Sequence, residues 1–186
     1  DEKKIGHIIL KNIVNSGFSG KIFPLNPHIA NLNGMDCYAD YKDLPQIPDL
    51  AILAVPAEIA VALLESIAKK GTKNIVALSS GFKEAGMEGE NLENSLRASA
   101  KKYKLNILGP NCLGFLNVPA HLNATFSQAG SAKGNLRFIS QSGALASGIF
   151  DWARRHQLGF SEFVTLGNKT VLNENDILRH WLSQPK

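Results

Sequence analysis

Four short segments place small residues, proline, hydroxyls and amides where apolar runs stop: Asn26-Pro27-His28, Val55-Pro56-Ala57, Ser79-Ser80-Gly81 and Gly109-Pro110-Asn111-Cys112. Small residues and proline let a flat ring or a pyrophosphate approach the backbone, while hydroxyl and amide groups donate to phosphate oxygens. Taken singly, each reads first as an ordinary turn, whose chemistry draws on the same residue types. Four together at one sheet edge favour a ligand site of open identity. A fifth segment, Ser140-Gln141-Ser142-Gly143-Ala144, follows an apolar run and opens an amphipathic one. The N–H groups and dipole of a helix starting there would make an anion site. Plain N-capping by Ser142 is the alternative, and the residues alone leave the two open.

The common fingerprints are missing. No G-x-G-x-x-G, no G-x-x-x-x-G-K-S/T and no H-E-x-x-H occurs. His7, His121, His156 and His180 have no carboxylate or serine at a telling spacing and read as surface or capping residues; His28 alone is placed for ligand contact. Cys37 and Cys112 lie far apart without metal-type spacing, the pattern of a reduced, cytoplasmic protein. Cys112 falls at a strand end, although a free cysteine is usually a small buried apolar residue. Lys101-Lys102 and Arg154-Arg155 read as solvated helix faces.

These segments need a scaffold, and the apolar periodicity supplies an alternation of helices and strands. Ile5, Ile8, Ile9, Ile13 and Val14 recur at helical spacing and stop at Ser16-Gly17. A short strand is expected over residues 21–25. Residues 50–55 form a nearly all-apolar run, as a parallel strand buried on both faces should be. Pro56 then opens a helix to about residue 70, ended by Gly71. Strands at 74–78 and 106–108 flank a polar helix at 89–103. Residues 113–134 read as a loop with one short strand at 123–126, and residues 129–134 as a linker. A second alternation follows: strand 136–139, helix 144–156, strand 160–166 and helix 174–182. Such an order implies crossover units and a parallel sheet, with a domain boundary near residue 132.

Composition narrows the classes. Of 186 residues, 44% are apolar and 19% charged, enough to fill a core. Twenty Lys and Arg against 16 Asp and Glu give +4, too small and too evenly spread an excess for nucleic acid, though it suits a small polyanion. The longest apolar stretch, residues 50–64, contains Pro56 and Glu58 and falls short of the roughly 20 residues of a membrane helix. Asp1-Glu2-Lys3-Lys4 has no signal-peptide character. A doubly wound sheet normally places its first strand centrally, and about 55 residues after the boundary are too few to close a core. The expectation is therefore a part of a longer protein, with a first strand upstream.

Several segments together carry a resemblance. Residues 20–27 (G-K-I-F-P-L-N-P), 49–57 (D-L-A-I-L-A-V-P-A), 80–82 (S-G-F), 108–114 (L-G-P-N-C-L-G) and 122–126 (L-N-A-T-F) are similar to the CoA-binding domain of NDP-forming acyl-CoA synthetases. So are 139–145 (I-S-Q-S-G-A-L), Asp151-Trp152-Ala153, 158–163 (L-G-F-S-E-F) and 166–169 (L-G-N-K). This family includes ADP-forming acetyl-CoA synthetase and, more distantly, the alpha subunit of succinyl-CoA synthetase. The synthetase-like region of bacterial protein lysine acetyltransferases looks similar too. The resemblance implies an α/β protein: a Rossmann-like, parallel-sheet CoA-binding domain over residues 1–131, followed by the beginning of a flavodoxin-like ligase domain over 132–186. It also implies an acid–thiol ligase, a cytoplasmic location and an ATP-grasp domain, fused or separate, that supplies ADP, ATP and Mg chemistry from outside these residues. No membrane or nucleic-acid partner is expected, and the full protein is expected to be an oligomer.

By the same resemblance, CoA or acyl-CoA lies across the strand ends. Asn26, Pro27, His28, Val55, Pro56 and Ala57 are placed near the adenine and ribose. Ser79, Ser80 and Gly81 are placed near the phosphates and pantetheine arm, and Asn111 and Cys112 towards the thiol. Ser142 and Gly143 open the helix that resembles the phosphate-holding one, which favours the anion reading. The phosphohistidine is expected beyond Lys186, so the fragment alone is expected to be inactive. Two departures stand out. Where relatives often carry a lysine after Asn-Pro, this chain has His28-Ile29, and an imidazole is mostly uncharged at neutral pH. Thr170-Val171-Leu172 follows Lys169 where relatives commonly carry an acidic residue, which leaves the role of that loop open. Alternatives are the acyl-CoA-sensing region of an acetyltransferase and, ranked lower, a nicotinamide-binding oxidoreductase. The second lacks an acidic residue at the strand end where Asn26 sits. A stand-alone CoA-binding regulator is disfavoured by the continuation through residues 135–186.

Overall fold

Alternate residues of the central strands serve two different cores, which explains why those strands read as continuous apolar runs. In the computed structural model, which describes residues 4–127 and 132–184, β3 (Leu50–Leu53), β4 (Asn74–Ala77) and β5 (Asn106–Leu108) form a parallel sheet in that order. Ile75, Ala77 and Ile107 face α2 (Ala57–Lys70) and α3 (Met87–Tyr103), where Leu64, Ile67, Phe82 and Leu96 are fully buried. Val76, Leu78 and Leu108 face the opposite side and meet Ile9 and Ile13 of α1 (Ile5–Asn15). Pro56 is the N-cap of α2, and Gly71 caps its C-terminus.

The stretch 21–25 is not the strand expected. Its only strand-like pairing is an isolated parallel bridge between Leu25 and Tyr38, with Tyr38 N–H donating to Pro24 O and Asn26 N–H to Tyr38 O. Pro24 has no N–H to give a ladder. The outer edge of β3 pairs with no strand among the described residues, and residues 21–25 do not pair with it. A hairpin not anticipated follows: β1 (Asn31–Leu32) and β2 (Met35–Asp36) close around Asn33-Gly34, both at positive φ. That dipeptide is what a tight two-residue hairpin turn requires.

Beyond β5 the expected loop with one strand is instead an antiparallel pair, β6 (Gly114–Asn117) and β7 (Leu122–Thr125). It is completed by β8 (Lys133–Ser140) and β9 (Phe160–Thr165) into a mixed sheet of order β7-β6-β9-β8, with β8 and β9 parallel. α4 (Gly143–Arg155) covers one face, where Phe150 stacks on Phe163 at 3.9 Å between ring centroids. α5 (Glu174–Ser183) starts with a capping box from Asn173 and Asp176. Its Trp181 donates to Glu162 Oε2 at 2.8 Å and joins the core that holds Ile9 and Val76. Asn12 of α1 donates to the carbonyls of Thr125 and Ser127. Of the expected linker at 129–134, residues 129–131 lie outside those described, while Lys133 and Gly134 are not linker but the start of β8. No helix among the described residues is long and apolar enough to cross a membrane.

Candidate functional site

Parallel strands end on the same side, so the register of β3, β4 and β5 brings the turns after them to one edge. There they border one end of a cleft that continues along α1 and the outer edge of β3, about 2370 Å³ in all. Every residue assigned to a ligand by the resemblance lines this cleft except Ala57 and Gly81. Ala57 is buried beneath the turn, its Cβ 3.4 Å from where a side chain at Gly81 would begin. Asn26 Oδ1 accepts the His28 N–H at 2.9 Å, and His28 itself is exposed. Ser79 Oγ donates to Val55 O, and Asn111 N–H donates to Ser79 O at 2.9 Å, so the three strand-end turns are linked in series. The Gly81 and Phe82 N–H groups both donate to Glu84 Oε1, at 2.7 and 3.1 Å. Those two amides are thus engaged within the protein.

The opening of α4 has the features of both readings of its sequence. Ser142 Oγ accepts the Leu145 N–H at 3.2 Å, so Ser142 is the N-cap. The first turn carries no acidic side chain, and Gln141, Ser142, Gly143 and Ala144 all line the cleft. Cys112 behaves as a core residue: it is 3% exposed, its Sγ lies 3.5 Å from Ala77 O, and burial pushes its thiol up to about 12. A thiol held there stays protonated at physiological pH and offers no thiolate for chemistry. Among the other histidines, His156 stacks on Trp152, and His7 lines the cleft from α1.

Sequence reasoning missed the polar cluster behind the cleft. Asn168, in the turn after β9, is buried, and its Nδ2 donates to Glu84 Oε2 at 2.7 Å and to Glu93 Oε2 at 2.9 Å. Its Oδ1 accepts from Asn111 Nδ2 at 3.4 Å, its N–H donates to Pro110 O, and its carbonyl accepts from Lys83 Nζ at 3.1 Å. Glu93 is 2% exposed and also accepts from Thr170 Oγ1 at 2.7 Å and from the Lys83 N–H at 3.3 Å, with Lys83 and Arg97 each 3.6 Å away. Burial pushes both Glu84 and Glu93 up. In Glu93 the bonds from Thr170, Asn168 and Lys83 outweigh this and hold it below the ordinary carboxyl range; in Glu84 those from Asn168, Phe82 and Gly81 do the same. Gly89 lets α3 sit close to this turn: a Cβ there would lie 1.9 Å from Phe82 O. A signal did exist in the sequence. Gly89, Glu93, Leu96 and Ala100 fall on one helical face, so an acid occurs in register with the apolar stripe.

Comparison with known proteins agrees with this geometry. A family model described as a CoA binding domain matches residues 1–118, and one described as a succinyl-CoA ligase like flavodoxin domain matches residues 133–186. Acetate–CoA ligase [ADP-forming] I of Archaeoglobus fulgidus is 41% identical over 179 residues, covering 96% of this chain and 26% of that protein. The alpha subunit of acetate–CoA ligase [ADP-forming] II of Pyrococcus furiosus is 39% identical over 180 residues, covering 97% of this chain and 39% of the relative. The structure of Ca. Korarchaeum cryptofilum dinucleotide forming acetyl-coenzyme A synthetase 1, in complex with phosphate and ADP, superposes with a TM-score of 0.95 at 39% identity. It covers all of this chain and 39% of that one. The chain therefore spans between about a quarter and two fifths of these relatives.

Proposed function

The chain belongs to the CoA-binding domain family, and from that premise we propose that it is the CoA-binding part of an NDP-forming acyl-CoA synthetase. The full protein interconverts acyl-CoA, ADP and phosphate with acid, CoA and ATP, through an acyl phosphate and a phosphohistidine. The observation that carries this reading is the convergence of the β3, β4 and β5 strand ends with the α4 N-terminus on one cleft. Open α/β sheets bind ligands at such an edge. Small side chains at Val55, Pro56, Ser79 and Ser80 leave the backbone approachable, and all four border the cleft. In this reading Asn26, Pro27 and His28 meet the adenosine end, and Ser79 and Ser80 meet the pantetheine arm. Asn111 lies nearer the thiol. Cys112 supports it from within the core and does no chemistry.

The N-terminus of α4 is the feature suited to a transferred phosphoryl group, because its dipole is not offset by an acid in the first turn. Nucleotide and Mg enter through an ATP-grasp domain, either fused or on a separate subunit; the alpha-subunit name of the Pyrococcus relative accords with the second arrangement. We place the division between the CoA-binding and ligase-like units at residues 131 and 132. The apolar slot bounded by Ile5, Ile9, Ile13, Ile22, Leu50 and Ile52, along the unpaired edge of β3, is suited to one more parallel strand. The test is an assay of the full-length protein with its ATP-grasp partner. The expected result is acid- and CoA-dependent formation of ADP and phosphate from ATP, with an acid-labile, base-stable phosphoenzyme. Thioester formation that releases AMP, or none at all from the folded assembly, would reject the proposal.

A further inference from the structure

The turn after β9 received no role from the sequence, yet its Asn168 touches both turns that shape the middle of the cleft. One side chain joins two turns and a helix. Through Glu84 it reaches the Gly81 and Phe82 amides; through its own Oδ1 it holds Asn111; through Glu93 it is anchored to the buried face of α3. Thr170, two residues on, adds a second anchor to Glu93. Each donor of the Asn168 amide has a carboxylate acceptor, and no buried side-chain polar atom among the described residues lacks a partner. A cluster satisfied in this way has one arrangement, because shifting any member strands another in a poorly solvated place.

We propose that Asn168, acting through Glu84 and Glu93, is a positioning residue that fixes the Ser79–Gly81 and Asn111 turns for CoA, so that the loop after β9 sets CoA affinity. This rests on the CoA-binding reading above. Asn168 borders the cleft, but both donors of its amide are already engaged, so its action is through the turns it holds. An acidic residue after Lys169 is not needed for that task in this chain, since Asn168 and Thr170 supply the donors and α3 supplies the acid.

The experiment uses the full-length protein and two readouts. In the Asn168→Ala variant, calorimetric titration is expected to give a CoA dissociation constant raised about tenfold, the scale of a lost hydrogen bond to a charged group, at unchanged stoichiometry. Misfolding alone would instead lower the stoichiometry and leave the affinity of the remaining sites intact. Without CoA, amide exchange at Gly81 and Phe82 is expected to accelerate by about tenfold. Asn168→Asp sets a third carboxylate against Glu84 and Glu93 and should weaken CoA more. Adding Glu84→Gln to it restores a donor–acceptor pair between positions 84 and 168, while the amide oxygen at 84 still accepts from Gly81 and Phe82, so the double variant should bind more tightly than Asn168→Asp alone. Unchanged affinity and exchange in Asn168→Ala, or a double variant no better than Asn168→Asp, overturns the inference. Absence of CoA binding by the wild-type protein overturns the functional reading instead, and the exchange rates still decide whether Asn168 holds the turns.

Discussion

Cys112 illustrates how far a side chain's surroundings can override its type. Its place at a strand end beside Asn111 suggested proximity to a reacting thiol, but it lies within the core that also contains Val76 and Leu108. Since the thiolate is the reactive form and burial pushes this thiol up to about 12, Cys112 should resist a disulfide reagent at pH 8 in the native protein. Cys37, half-buried, should react first. Two thiols reacting at equal rates in the folded state would contradict the placement. The cap at Ser142 was legible because its partner lies three residues on. Asn168 was not legible, because the carboxylates that define it lie 84 and 75 positions away in the chain. Only folding brings those groups together.

At the scale of elements, local periodicity located the helices and the central strands well, since burial of both sheet faces leaves an unbroken apolar run. It failed where pairing decides. Residues 21–25 have strand-like composition but pair only through one bridge, while β6 becomes a strand between two partners, β7 on one edge and β9 on the other. The Asn33-Gly34 hairpin was a local signal that could have been read. Loops between elements are held by the Glu84–Asn168–Glu93 cluster, whose charged neighbours are Lys83 and Arg97. Both carboxylates are held below the ordinary range when folded. Their contribution to stability is therefore complete above the unfolded value of about 4.3 and is lost as pH falls through the lower folded values. Glu93→Gln should cost about 2 kcal/mol at pH 7, and the gap in melting temperature from wild type should close as pH drops from about 5 towards 3. A gap independent of pH would show that the Glu93 charge is not what the cluster stabilises.

On the scale of the whole molecule, the mixed sheet joins β6 and β7 to β8 and β9, across the division proposed at residues 131 and 132. Asn168 and Thr170 reach back from the later segment to the turns of the earlier one. The parallel α/β class, the crossover order and the edge at which the turns meet were all readable from the apolar runs and the turn residues between them. The joining of the two segments through one sheet was not, because antiparallel pairing between distant short strands leaves no periodic trace. The central claim is that the strand-end cleft is a CoA site. It is tested most directly by calorimetric titration of CoA into the full-length protein, with dephospho-CoA and NAD as comparisons. The account predicts saturable binding of CoA, no heat from NAD, and only a modest loss on removing the 3′-phosphate, because an exposed histidine, His28, and not a lysine follows Asn26-Pro27. Binding of NAD as tight as that of CoA, or silence towards CoA from a folded protein, would contradict it.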